Sequence, residues 1–225
     1  MDLDPASPDK TAARLRGFGP LGILALLGVL LGNLVVVPLS AVLVLVWAKS
    51  SATPWRELGF VRPRNWILSL SLGLLFGVAF KLVMKAIVMP LLGADPINRA
   101  YHHLVGNRAA LPGILYLLIV GAGFGEETVF RGYMFERFGK LLGHGVWAKA
   151  AIVLLTSLWF GFVHYPEQGL PGAQQATIVG LAFGFIFAVT GELFMLMCAH
   201  AAFDLTALAI IYWDLESVVA HAVLR

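Results

Sequence analysis

LPGILYLLIVGAGFGEETVFRG, residues 111–132, is the stretch on which the reading of this chain turns. It opens as an apolar helix suited to a lipid bilayer, yet Glu126, Glu127 and Arg131 follow in the same run. An ionisable side chain at the centre of a membrane helix costs at least about 2.5 kcal/mol on insertion scales. Such residues face the bundle interior, pair with one another, or mark a functional site. On a helix of 3.6 residues per turn, Glu127 and Arg131 stand at i and i+4 and can pair, while Glu126 points about a quarter-turn away. Two adjacent carboxylates can thus do different work, one held charged by arginine and one available as a base. A bundle-stabilising ion pair with a spare acid is the alternative reading of the same spacing.

The rest of the chain agrees with a membrane setting. Of its 225 residues, 59% are hydrophobic and only 13% charged, and its mean hydropathy is +0.84. A soluble domain carries about 25% charged residues. The composition predicts an all-α, polytopic transmembrane bundle of about six spans. They read as residues 20–48, 66–92, 111–142, 147–164, 173–190 and 193–213. Several approach or exceed the roughly 20 apolar residues that cross a hydrocarbon core.

Residues 1–19 read as a polar, disordered tail, 20–213 as a single transmembrane domain, and 214–225 as a short C-terminal tail. Asn33 and Pro38 predict a kink or local backbone rearrangement in the first span. Lys81 and Lys85, one helical turn apart, share a face turned to water or to the bundle interior. YPEQGLPG, residues 165–172, reads as a loop, and Gly191-Glu192-Leu193 as a tight turn. The net charge of +3 gives no argument for nucleic acid, and a single cysteine, Cys198, excludes an intrachain disulfide. Basic residues fall on opposite sides of the six-span arrangement, so the positive-inside rule casts no vote on orientation. The expected setting is a multi-pass integral protein of the cell membrane, with the lipid bilayer as its partner.

Two further polar clusters interrupt apolar helices. FGFVH ends in His164, just ahead of Tyr165 and Pro166. Its imidazole is the usual general acid/base near neutral pH, although a lone histidine at a helix end is more often interfacial. HAAFD places His200 and Asp204 at i and i+4, where Asp204 can orient the imidazole or both can hold a common partner. Carboxylate and imidazole together can activate a water, and a second polar pair can stabilise the oxyanion formed on a carbonyl. The same groups can also build a His/carboxylate metal site. Either chemistry implies hydrolysis.

The three clusters, in this order, resemble the motifs E-E-x-x-x-R, F-x-x-x-H and H-x-x-x-N/D of the CPBP family of intramembrane proteases. That family comprises type II CAAX prenyl endopeptidases and bacteriocin-processing or immunity proteins. The likeness spans about residues 110–212 and implies a helical intramembrane endopeptidase acting on a membrane protein or peptide, prenylated CAAX proteins included. It implies that Glu126 and His164 activate the attacking water and that Glu127 supports the site with Arg131 as partner. His200 and Asp204 would take the oxyanion-stabilising or ligand positions. Asp204 replaces the asparagine found in some relatives; a carboxyl donates a hydrogen bond only when protonated, so here orienting His200 or binding metal is the expected role. The family has been described both as metal-dependent and as metal-independent. A divalent ion such as zinc is therefore a candidate cofactor, with Glu126, His164, His200 and Asp204 as its ligands, although no H-E-x-x-H helix marks a usual zinc site. Two other classes stay open: a proton- or ion-coupled transporter built on the buried acids and histidines, and a non-catalytic scaffold or immunity factor.

Overall fold

The computed structural model describes residues 10–224. Among them there is no strand; the chain is an all-α bundle. Residues 1–9 of the expected N-terminal tail, and Arg225, lie outside the described residues.

The remainder of that tail is structured. Helix α1, Lys10–Arg16, docks on the bundle because the buried Arg137 guanidinium donates to the carbonyls of Arg16 and Gly17, both at 2.7 Å. The same group lies 4.1 Å over the Phe18 ring.

Residues 20–48 do not form the single kinked span expected from hydropathy. They fold as a hairpin of α2, Pro20–Leu31, and α3, Leu39–Ser50, joined by a tight turn. The turn is closed by a reciprocal pair: Asn33 N–H donates to Ser40 Oγ and Ser40 N–H to Asn33 Oδ1, each at 2.9 Å. Each arm has 12 residues. That is about 18 Å of helix, well short of a hydrocarbon core of about 30 Å.

Helix α4, Trp66–Leu91, begins where Asn65 Oδ1 accepts from Leu68 N–H at 3.0 Å. Helix α5 is Arg108–Leu142, α6 is Val146–Thr190 and α7 is Phe194–Tyr212. With α4 these are, among the described residues, the four helices long and apolar enough to cross a membrane, or five if the bent α1–α2 pair counts as one. Helix α6 supplies two of the expected spans, since it folds back at Gly169, whose φ of 65° suits glycine alone. The arms lie close: a Cβ on Gly161 would run into the Thr177 side chain, and one on Gly180 would sit 2.9 Å from Ser157 Cα.

The break is confined to Gly169, so the loop expected over residues 165–172 is mostly helical. Pro166 sits within the first arm rather than ending it. Pro171 lies just inside the second arm, where its missing N–H costs nothing. The Gly191 turn is as expected: a left-handed residue whose N–H donates to the Phe187 carbonyl at 2.8 Å closes α6.

Helix α7 occupies the centre. A Cβ on Gly73 of α4 would lie 2.6 Å from the Met195 carbonyl, and one on Gly77 would run into the Ala199 carbonyl. From the other side, a Cβ on Gly123 of α5 would meet Ala201 Cβ at 3.0 Å. Small residues thus let two neighbours approach the α7 backbone, the usual packing device where lipid supplies no hydrophobic drive. Gly77→Leu is expected to cost about 1–3 kcal/mol through forced separation of α4 from α7. Thermal denaturation of the purified variant in detergent measures this; melting alongside wild type would refute the close approach.

The C-terminal segment is not a free tail either. Helix α8, Glu216–Ala220, carries Glu216 fully buried. Its carboxylate accepts from Asn98 N–H at 2.8 Å and from His102 Nδ1 at 3.1 Å, and lies 3.5 Å from Lys85 Nζ. Glu216 thereby ties the 93–107 connection, α4 and the chain's end together over one mouth of the bundle.

Candidate active site

Helix α5 winds as π-helix over Leu117–Glu126 and again over Thr128–Tyr133, with Glu127 between. Wide turns of this kind are rare and cluster at functional sites. The neighbouring carboxylates diverge on this helix as successive residues do. Glu127 is 0% exposed and turned into the core; Glu126 faces a cavity.

Glu127 is the hub of a buried network. Arg131 Nη1 donates to its Oε1 at 2.9 Å, the i,i+4 pair read from the spacing. His200 Nδ1 lies 2.6 Å from the same oxygen and donates to it across the α5–α7 contact. Aromatic rings seal this pair. The Arg131 guanidinium lies 4.9 Å over Phe160 and 5.5 Å over Phe183, and both rings meet His200 edge-on. In so apolar a surrounding, an unpaired carboxylate or guanidinium would be costly, so each member depends on the others.

With Nδ1 committed to Glu127, His200 turns Nε2 towards the cavity. There it lies 3.7 Å from Glu126 Oε2 and 3.7 Å from Asp204 Oδ2. Both are beyond hydrogen-bond length. The imidazole is therefore oriented by Glu127, a residue 73 positions away in the chain, rather than by Asp204 at i,i+4 as expected from the local spacing. Asp204 is left facing the cavity.

His164 does not sit at a helix end, because α6 runs on through Pro166. Its Nδ1–H donates to the Phe160 carbonyl at 2.7 Å, one turn back, which leaves Nε2 as the free ring nitrogen. A cavity of about 300 Å3 is lined by Glu126, His164, His200 and Asp204, together with Lys81 and Tyr101. Residues from all three sequence clusters thus reach one space. Among the described residues Glu126 Oε2 has no hydrogen-bond partner, so this carboxylate oxygen is buried and unengaged.

Among the described residues no group of three or more His, Cys, Asp or Glu is arranged to hold a metal ion. The four candidate ligands do not form a preassembled metal centre.

Several residues of the site escaped sequence reasoning. Tyr101, in the connection before α5, lines the cavity, donates to Glu167 Oε1 at 3.2 Å and accepts from Gln168 Nε2 at 3.1 Å. Burial, reinforced by the Glu167 carboxylate, raises its phenol above the ordinary tyrosine range and keeps it a neutral donor. Gln175 and Glu167 come from either side of the Gly169 break. An isolated tyrosine in a polar loop, or a glutamine within an apolar arm, carries no pattern that would single it out.

No curated protein and no solved structure matches the chain. Residues 108–206, the stretch holding EETVFR, FGFVH and HAAFD, match the family model described as type II CAAX prenyl endopeptidase Rce1-like, a family of membrane proteases.

Proposed function

We propose that the protein is an intramembrane endopeptidase in which a water held between Glu126 and His164 attacks a peptide carbonyl. The observation that carries this reading is the division of labour on α5: Glu127 withdrawn and pinned by Arg131 and His200, Glu126 open to the cavity shared with His164 and Asp204. Glu126 takes a proton from the water as its oxygen bonds to the carbonyl carbon. The resulting oxyanion lies on the side of His200 Nε2, which donates to it when the ring is protonated, and of Asp204, which donates when its carboxyl is protonated. Glu126 then passes the proton to the amide nitrogen as the carbon–nitrogen bond breaks. Substrates are membrane proteins or membrane-associated peptides, prenylated CAAX-type proteins among them, met within the cell membrane.

Comparing membrane-protein fragments between cells expressing wild type and cells expressing Glu126→Ala tests the function. The expected result is a set of fragments present with wild type and absent with the variant; identical sets would sink the reading. The reading also expects turnover by purified protein to survive EDTA. Loss of activity on chelation, restored by added zinc, would assign the Glu126, His164, His200 and Asp204 donors to a metal instead.

A further inference from the structure

Lys81 is a buried charge beside the catalytic cavity that the hydrolytic chemistry leaves unused. It projects from α4 one turn beyond Gly77 and is only 6% exposed. Its ammonium donates to Gln175 Oε1 at 3.0 Å and lies 4.7 Å over the Phe203 ring. An ammonium has three donors. Among the described residues, no carboxylate comes within 4.0 Å of Lys81 and Gln175 is its one hydrogen-bond acceptor. Lys85, the next turn along, is different: it donates to the Pro96 carbonyl and lies 3.5 Å from Glu216. One lysine is neutralised within the protein. The other is held open, at a depth where an unpaired charge is expensive.

Its position gives that charge a use. Lys81 borders the cavity of about 300 Å3 that holds Glu126, His164 and Asp204, and also a second cavity of about 550 Å3 beside it. Asn98, Gln168 and Gln175 border both spaces as well, so a strip of polar side chains joins them. Asp204 attracts the ammonium from beyond ion-pair distance, but that carboxylate is shared with His200. An anion brought in by a ligand would give Lys81 the charge-assisted hydrogen bonds that the protein withholds.

Resting on the peptidase reading above, we infer that Lys81 is a specificity-determining residue whose ammonium, with the Gln175 amide, receives a carboxylate of the substrate. The peptides cut are those with a carboxylate a short distance from the scissile bond, and the second cavity takes the segment bearing it. Either a chain-terminal α-carboxylate or an acidic side chain supplies the same chemistry.

The test uses full-length Glu126→Gln protein in nanodiscs and dye-labelled apolar hexapeptides. One pair ends in a free carboxylate or a carboxamide; a second, amidated pair carries Glu or Gln at one internal position. One of the two acidic peptides is expected to bind about tenfold tighter than its neutral partner, the scale of a charge-assisted hydrogen bond, and which one identifies the source of the carboxylate. Adding Lys81→Met should abolish that preference, while Lys81→Arg should keep part of it. Gln175→Met leaves the charge in place and should reduce the preference severalfold, which covers the case where Lys81→Met does not fold. In otherwise wild-type protein, the acid-to-neutral ratio of kcat/KM should collapse in Lys81→Met, chiefly through KM. Equal binding of acidic and neutral peptides, no binding of any peptide, or a preference that survives Lys81→Met overturns the inference. Lys81-dependent binding by a protein that cleaves nothing would overturn the peptidase reading and leave the carboxylate subsite standing.

Discussion

Glu126→Gln is expected to lower kcat/KM by about 10²–10⁴-fold, the range that a positioned general base contributes. Glutamine keeps the shape and hydrogen-bonding reach of the side chain and removes only its basicity. Peptide binding should persist, so the loss falls on kcat. The fold should not suffer, because Glu126 Oε2 has no hydrogen-bond partner among the described residues and lies 3.7 Å from His200 Nε2, beyond hydrogen-bond length. Thermal unfolding of Glu126→Gln should therefore match or exceed that of wild type, which separates a chemical effect from a structural one. His164→Ala should cause a loss of similar size. If both groups act on one water, the double variant should be hardly worse than either single variant, since residues that work as a unit are far from additive. Single-turnover assays on labelled peptide in nanodiscs measure all three. Undiminished activity in Glu126→Gln would remove this residue from the chemistry, and losses that multiply in the double variant would separate the roles of the two.

How far the sequence carried these conclusions depends on the range of the interactions concerned. Hydropathy located α4, α5, both arms of α6, and α7, because long apolar runs announce themselves. The Glu127–Arg131 pair was legible because i,i+4 neighbours on a helix must lie close. Gly191 was legible as a turn because helix ends favour a left-handed glycine. The hairpin at residues 20–50 was not: two short apolar arms have the hydropathy of one long span. What closes them is a pair of hydrogen bonds between Asn33 and Ser40, invisible as a pattern. The hydrogen-bond partner of His200 was out of reach for a related reason. Local spacing offers Asp204, but the backbone approach at Gly123 brings α5 against α7, and Glu127 arrives 2.6 Å from the ring. Glu216 and Lys81 have meaning only through the cavities and connections that tertiary packing creates.

The Glu127–Arg131 pair should dominate stability as Glu126 dominates rate. Glu127→Ala leaves Arg131, 2% exposed, without its counter-charge and strips His200 Nδ1 of its acceptor. Removing one partner of a buried pair costs about 3–5 kcal/mol, so this variant should melt far below wild type or fail to accumulate. Arg131→Met should be milder, because His200 still donates to the carboxylate that remains. The informative variant is the double, Glu127→Leu with Arg131→Met. Replacing a buried pair by apolar side chains of similar volume is often neutral or stabilising, so the double variant should recover most of the lost stability. It should not recover cleavage. Without Glu127, His200 keeps its edge-on rings, Phe160 and Phe183, but has nothing to fix which nitrogen faces the cavity. Thermal melts in detergent and peptide turnover in nanodiscs, measured on the same preparations, separate the two effects. A stable double variant with wild-type turnover would reduce Glu127 to scaffolding. A stable and inactive one would show that the costly buried charges persist because they set the histidine that faces the reacting carbonyl.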